Sequence, residues 1–186
     1  MESETRKHIW QVAKYLHIFS CELLKRATLH DASKLVEPEA SIFEKYTPLL
    51  KGVTYGSTEY RKMMEEMKPA IEHHHRTNKH HPEYNDLNGY SFQTLNDPIR
   101  AMDLFDLVEM ICDWTAATKR HADGDIKRSV EINKKRFKLD EQVVALLNNT
   151  AALLQDKEAR LDAEESVGEH LTTAKGMPPE EPAASV

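Results

Sequence analysis

Cysteine is scarce in this chain. Only Cys21 and Cys112 occur in 186 residues, and they form no CxxC pair. That excludes both a zinc–thiolate site and a disulfide framework, and it fits a reducing cytoplasm. Glycine is scarce too, with six residues and neither GxGxxG nor GxxxxGK[ST] spacing, so the phosphate-cradling loops of Rossmann and P-loop proteins are missing. No apolar run reaches the roughly 18 residues of a membrane-spanning helix. The first ten residues, MESETRKHIW, contain no apolar signal-peptide core. Alternating apolar and polar residues never persist long enough to predict a sheet. What is there is a globular composition, 40% hydrophobic and 30% charged, in the length of one domain with a tail.

The net charge of −6 is unevenly spread. Residues 156–186 hold eight acids and three bases, so the body of the chain is almost neutral and carries no basic footprint for duplex nucleic acid. Helical periodicity runs through the body. Ile9, Val12, Ala13, Leu16, Phe19, Leu23 and Ala27 predict a helix over about 4–28. Residues 33–50 read as one or two short helices broken near Pro38 and Pro48. Ser57 or Thr58 caps a helix to about residue 79. Residues 82–96 read as a long loop, after which Asn96 or Asp97 caps a helix running to about His121. Helices over about 126–136 and 140–155 complete an all-α domain of five to seven helices, residues 1–160. Residues 161–186 end GMPPEEPAASV and read as an acidic, disordered tail.

Histidine is unusually frequent, with ten residues, five of them between His73 and His81. Tyr60, Met64, Met67 and Ile71 form one helical stripe, and His74 is its next member. His73 sits at the edge of that stripe and His75 on the solvent face. His81 precedes Pro82, which pushes it out of helical geometry and lets it turn toward a site. Converging imidazoles suit a borderline divalent ion, against the alternative of hydrogen-bonded core histidines. His30-Asp31 interrupts the first helix, where both side chains can reach one ion; Asp31 alone could be a helix cap. In MDLFDLVEMICDW, Asp106, Glu109 and Asp113 lie near one face of a strongly apolar helix, where a carboxylate needs a metal or a basic partner. His8 and His17 are nine residues apart on opposite faces of their helix, so at most one of them faces the site.

The order of histidine, His-Asp, further histidines and a late carboxylate resembles the all-α HD-domain metal-dependent phosphohydrolases. HDASK is similar to the His-Asp-x-x-Lys of many members, and HHPEYNDLNGY to the HHExxDGxGYP motif of the two-metal branch, from which it departs by Pro82 and by the missing GxGYP. HDxSK, HHPE and EMxxDW together resemble a small HD-like family of phages and bacteria across roughly residues 6–150. The resemblance implies that His8, His30, Asp31 and Asp113 bind one divalent ion (Mn, Fe, Co, Zn or Mg), with Asp113 preferred over Asp106 as last ligand. His74 and His81 are then ligands of a second ion bridged by Asp31, or acid–base groups. Glu72 and Glu109 are second-sphere or general-base candidates, and Lys34 and Arg76 would neutralise phosphate charge.

The activity implied is hydrolysis of a small nucleotide's phosphate ester or anhydride, in the cytoplasm, or in a host's cytoplasm if phage-encoded. A cyclic or signalling-nucleotide phosphodiesterase and a catalytically silent HD fold that binds a nucleotide or a protein are the alternatives. A homo-oligomer is left open.

Overall fold

A computed structural model describes residues 3–51, 53, 57–89, 97–120 and 124–174. Among them the fold is all-α, with seven α-helices and no strand: α1 Glu4–Leu29, α2 Ala40–Leu50, α3 Thr58–Thr77, α4 Glu83–Leu87, α5 Leu104–Thr118, α6 Ile126–Phe137 and α7 Glu141–Ala174. Two 3₁₀ turns, Ala32–Leu35 and Pro98–Ala101, lie between helices. No helix among the described residues is long and apolar enough to cross a membrane.

Local chemistry sets these boundaries. Ser57 caps α3 by accepting the Tyr60 N–H. Asp97 caps only the 3₁₀ turn; Asp103 and Asp106 then form a reciprocal capping box that starts α5 afresh. The single helix expected over this stretch is therefore two elements. Pro48 does not break α2, because the helix ends two residues later and the bond that proline removes lies in its last turn. The expected loop after Pro82 contains α4, and residues 90–96 fall outside the described residues. So do residues 121–123, which include the expected end of the helix at His121. Helix α7 passes the expected domain end at residue 160 and runs to Ala174; the tail beyond is not among the described residues.

The apolar core is built by α5, α6 and α7. Met110 and Ile111 pack with Ile126, Val130, Leu139, Val144, Leu147 and Ala151. Each large aliphatic side chain buried there contributes roughly 1.5–3 kcal/mol. Helix α3 packs on α2 and α4, while α1 lies on α5. The rings of Phe19 and Phe105 stack with centroids 4.2 Å apart. Farther along the same contact, Arg26 Nη1 donates to Asp106 at 2.8 Å and to Glu109 at 3.1 Å. The apolar core thus holds α5 rigid, and α5 in turn fixes the end of α1, where the His-Asp dyad lies.

Candidate metal centre

Helix α1 stops at the dyad. His30 leaves helical geometry, with φ −51° and ψ 127°, and Asp31 is left-handed, with φ 55°. A left-handed non-glycine residue is uncommon, although aspartate tolerates it better than most. The reversal separates the directions of two adjacent side chains and turns both inward. The 3₁₀ turn that follows brings Lys34 Nζ to 2.5 Å from Asp31 Oδ2.

Four segments meet at Asp31. His74 comes from the last turn of α3, and His80 and His81 from the bend before α4. Asp31 Oδ1 is 3.2 Å from His74 Nε2 and 3.5 Å from His80 Nε2, and His81 Nε2 is 2.9 Å from His74 Nε2. Metal bonds of about 2.0–2.1 Å place neighbouring ligand atoms roughly 3–3.5 Å apart, and the donor atoms of Asp31, His74, His80 and His81, all within 4.8 Å of one another, are close enough to share one ion. Asp31 Oδ1 and His80 Nε2 are buried and find no hydrogen-bond partner among the described residues. Leaving such atoms unsatisfied is costly, and a cation between them would satisfy both. On the other side of Asp31, His30 Nε2 is 3.5 Å from Asp31 Oδ2 and 3.8 Å from Asp113 Oδ1. The donor atoms of Asp31, His74, His80 and His81 therefore form one compact set, and those of His30, Asp31 and Asp113 a second that shares Asp31.

Behind the histidines stand two carboxylates, Glu39 buried and Glu109 partly so. Glu39 is fully buried; its Oε2 lies 2.9 Å from His74 Nδ1 and its Oε1 2.7 Å from His73 Nδ1, and Ser33 Oγ donates to it at 3.0 Å. Glu109 Oε1 lies 2.9 Å from His30 Nδ1 and 3.2 Å from His80 Nδ1. A carboxylate at Nδ1 holds the proton there and leaves Nε2 free as a metal ligand. The donor set could hold a divalent ion, and Glu39 and Glu109 fix the orientation of the imidazoles that would bind it.

The electrostatics follow from the same contacts. Asp113 and Glu109 favour the charged form of His30 and raise its pKa to about 10; Glu109 accepts a hydrogen bond, while Asp113 acts by charge across 3.8 Å. Burial opposes ionisation of Asp31, yet His74 and Lys34 outweigh it and hold the carboxyl well below its usual range. Glu109 is likewise kept ionised against burial, by His30, His80 and Arg26. His81 goes the other way: burial first, then His80 and His74, push it far below an ordinary imidazole, so it stays neutral.

The other expected residues fall as follows. His8 is exposed on α1 and does not join the cluster. Twenty-two residues of continuous helix separate it from His30, about 33 Å at 1.5 Å per residue, so as a ligand of its own chain's site it is corrected. Glu72 pairs with Arg76 Nη2 at 2.9 Å, and Arg76 also donates to the Leu87 carbonyl, tying α3 to α4; neither faces the ligand sets. Asp106 is taken up by Arg26 and the α5 cap, whereas Asp113 faces His30. His75 does not point to water. It is half-buried, its ring 4.8 Å from that of His81, and burial lowers its pKa. His80 was the member of the tract that the sequence left out of the ligand set, although its exposure is only 2%. Glu39 had no sequence signal at all.

These features define an all-α protein with a partly buried histidine–carboxylate centre at the junction of α1, α3 and α5. The chain belongs to DUF5662, a family of unknown function, whose model matches residues 1–157. No curated protein and no solved structure matches it.

Proposed function

We propose that the protein is a metal-dependent phosphohydrolase of small nucleotides, related to the HD-domain enzymes that its motifs resemble. The observation that carries this reading is the pair of donor sets sharing Asp31, with Asp31 Oδ1 and His80 Nε2 of the first set buried without a hydrogen-bond partner. Asp31, His74, His80 and His81 would hold one divalent ion, and His30, Asp31 and Asp113 a second. A divalent ion in such a site acidifies water and polarises a phosphoryl oxygen.

The protein's own groups do the rest. Glu39 and Glu109 keep the imidazoles in the ligating tautomer. Lys34, only partly exposed and adjacent to Asp31, is the cation that can meet a phosphate oxygen. His81, held neutral by burial and by His80 and His74, keeps a ring nitrogen unprotonated as a ligand beside His74. The nearly neutral body favours a small nucleotide over a long nucleic acid. Two free cysteines suit a reducing cytoplasm.

The test is metal content together with turnover of a panel of mono-, di-, tri- and cyclic nucleotides, with Mn, Fe, Co, Zn and Mg. Hydrolysis that disappears with chelator, returns with a transition metal and is abolished in a folded Asp31→Ala variant is the expected result. Protein that holds metal but turns over no nucleotide in the panel refutes the enzymatic reading in favour of a binding module.

A further inference from the structure

Asp31 belongs to both donor sets, and its two oxygens are divided between them. Oδ1 faces the inner set, 3.2 Å from His74 Nε2 and 3.5 Å from His80 Nε2. Oδ2 faces the outer set, 3.5 Å from His30 Nε2, and it already has a cation, with Lys34 Nζ 2.5 Å away. The sets also differ in depth. The side chains of His74 and His80 are 4% and 2% exposed, those of His30 and Asp113 30% and 20%. Of the two sets, only the inner one holds buried atoms without a hydrogen-bond partner among the described residues, Asp31 Oδ1 and His80 Nε2.

Lys34 is tied to this position by its backbone as well. Its N–H donates to the Asp31 carbonyl at 2.8 Å, so the 3₁₀ turn fixes how far its stem stands from the carboxylate. Its Nζ also lies 5.2 Å from the centre of the Phe43 ring on α2, and that ring packs T-shaped against His74. An aromatic face attracts a cation, so the ammonium keeps one contact when it leaves Asp31. An ion on Asp31 Oδ2 would stand roughly 4 Å from the ammonium, where like charges repel strongly in a partly buried site. We propose that Lys34 gates the second ion. The inner set fills first, and the outer set fills only as Lys34 gives up Asp31 Oδ2, drawn off by a phosphate oxygen. That last step rests on the phosphohydrolase reading; the unequal filling does not. Metal and phosphate are thus coupled through one side chain, each favouring the other, and the two-ion centre assembles with its substrate's phosphate.

Equilibrium dialysis of the full chain against Mn²⁺, with bound metal counted by elemental analysis, tests the gate without any turnover. Wild type is expected to bind one Mn²⁺ per chain tightly and a second at least about tenfold more weakly. Lys34→Met removes the charge and keeps the length, and it should narrow that gap by at least about tenfold. Lys34→Gln should act in the same direction, while Lys34→Arg keeps the charge and should keep the gap. Helical dichroism checks that each variant is folded. Inorganic phosphate is expected to tighten the second ion in wild type and far less in Lys34→Met. Two ions of equal affinity in wild type overturn the proposal. So does a gap unchanged in both uncharged variants, or one that closes equally in Lys34→Arg. Phosphate that tightens the second ion equally in wild type and Lys34→Met overturns the coupling. A gate that responds as expected, in protein that hydrolyses no nucleotide, supports the unequal filling and refutes the phosphohydrolase reading alone.

Discussion

Replacing Glu39 by glutamine probes the centre without touching a ligand. As a carboxylate, Glu39 accepts from His73 Nδ1 at 2.7 Å and from His74 Nδ1 at 2.9 Å, one through each oxygen, and both histidines keep the proton on Nδ1. Glutamine offers one carbonyl oxygen and one NH₂. If the oxygen takes the His74 position, His73 faces a donor and turns toward solvent, which its partial exposure allows. If the NH₂ takes it, His74 must accept at Nδ1, and its proton moves to Nε2, the atom facing Asp31. Either way the preference for the ligating tautomer weakens. Loss of such a supporting carboxylate typically costs 10–100-fold in metal affinity, about 1.4–2.7 kcal/mol. Competition against a chromophoric chelator measures it, with circular dichroism as a check on the fold. Metal affinity within twofold of wild type, in a folded variant, would refute the orienting role. His73→Phe is the companion: it leaves the His74–Glu39 bond in place and should cost far less.

The ligand assignment predicts that His80→Ala loses metal while His8→Ala keeps its full content; metal analysis showing equal loss in both would sink it. Arg26→Met leaves Asp106 and Glu109 facing each other without their cation, at a cost of about 3 kcal/mol in denaturant unfolding; a loss under about 1 kcal/mol would show that Arg26 is not what reconciles those carboxylates. In chelator, the melting temperature should peak near pH 6.5. His81 is depressed in the fold, so the unfolded chain takes up its proton first and stability falls below that pH. His30, raised to about 10, contributes fully below pH 6.5 and loses its contribution as pH rises toward 10. A melting temperature that rises from pH 6.5 to 8.5 would contradict this.

The fold was largely legible because helical periodicity reports burial. Helix α1 begins at Glu4 and α6 at Ile126, as the apolar spacing predicts. What periodicity misreads is local. It carried the α5 helix back through Pro98, because Asp103 reads as one more polar residue until its side chain is seen to close a capping box with Asp106. It treated Pro48 as a break because it cannot tell a proline in the last turn from one in the middle. Nor does the wheel separate the two halves of α1: the stripe through Ile9, Val12 and Leu16 looks the same as the one through Phe19 and Leu23, yet only the second has α5 beneath it.

The candidate site was legible in its residue types and less so in their grouping. The wheel put His74 inward, and the break at His30-Asp31 let both side chains turn in. His8 followed from family spacing, but a helix unbroken to Leu29 converts that spacing into a distance no side chain spans. His80 and Glu39 lacked any such cue, since a bend and a buried acid between α1 and α2 have no period. Their importance lies in the two ends of the imidazole ring. One nitrogen must be committed to a carboxylate before the other is a dependable ligand. For His30, His74 and His80 that carboxylate comes from an element remote in sequence, Glu109 on α5 or Glu39 at the start of α2. A histidine tract therefore announces that candidate ligands are available, while the orientation of His74 and His80 within it rests with carboxylates 35 and 29 residues away.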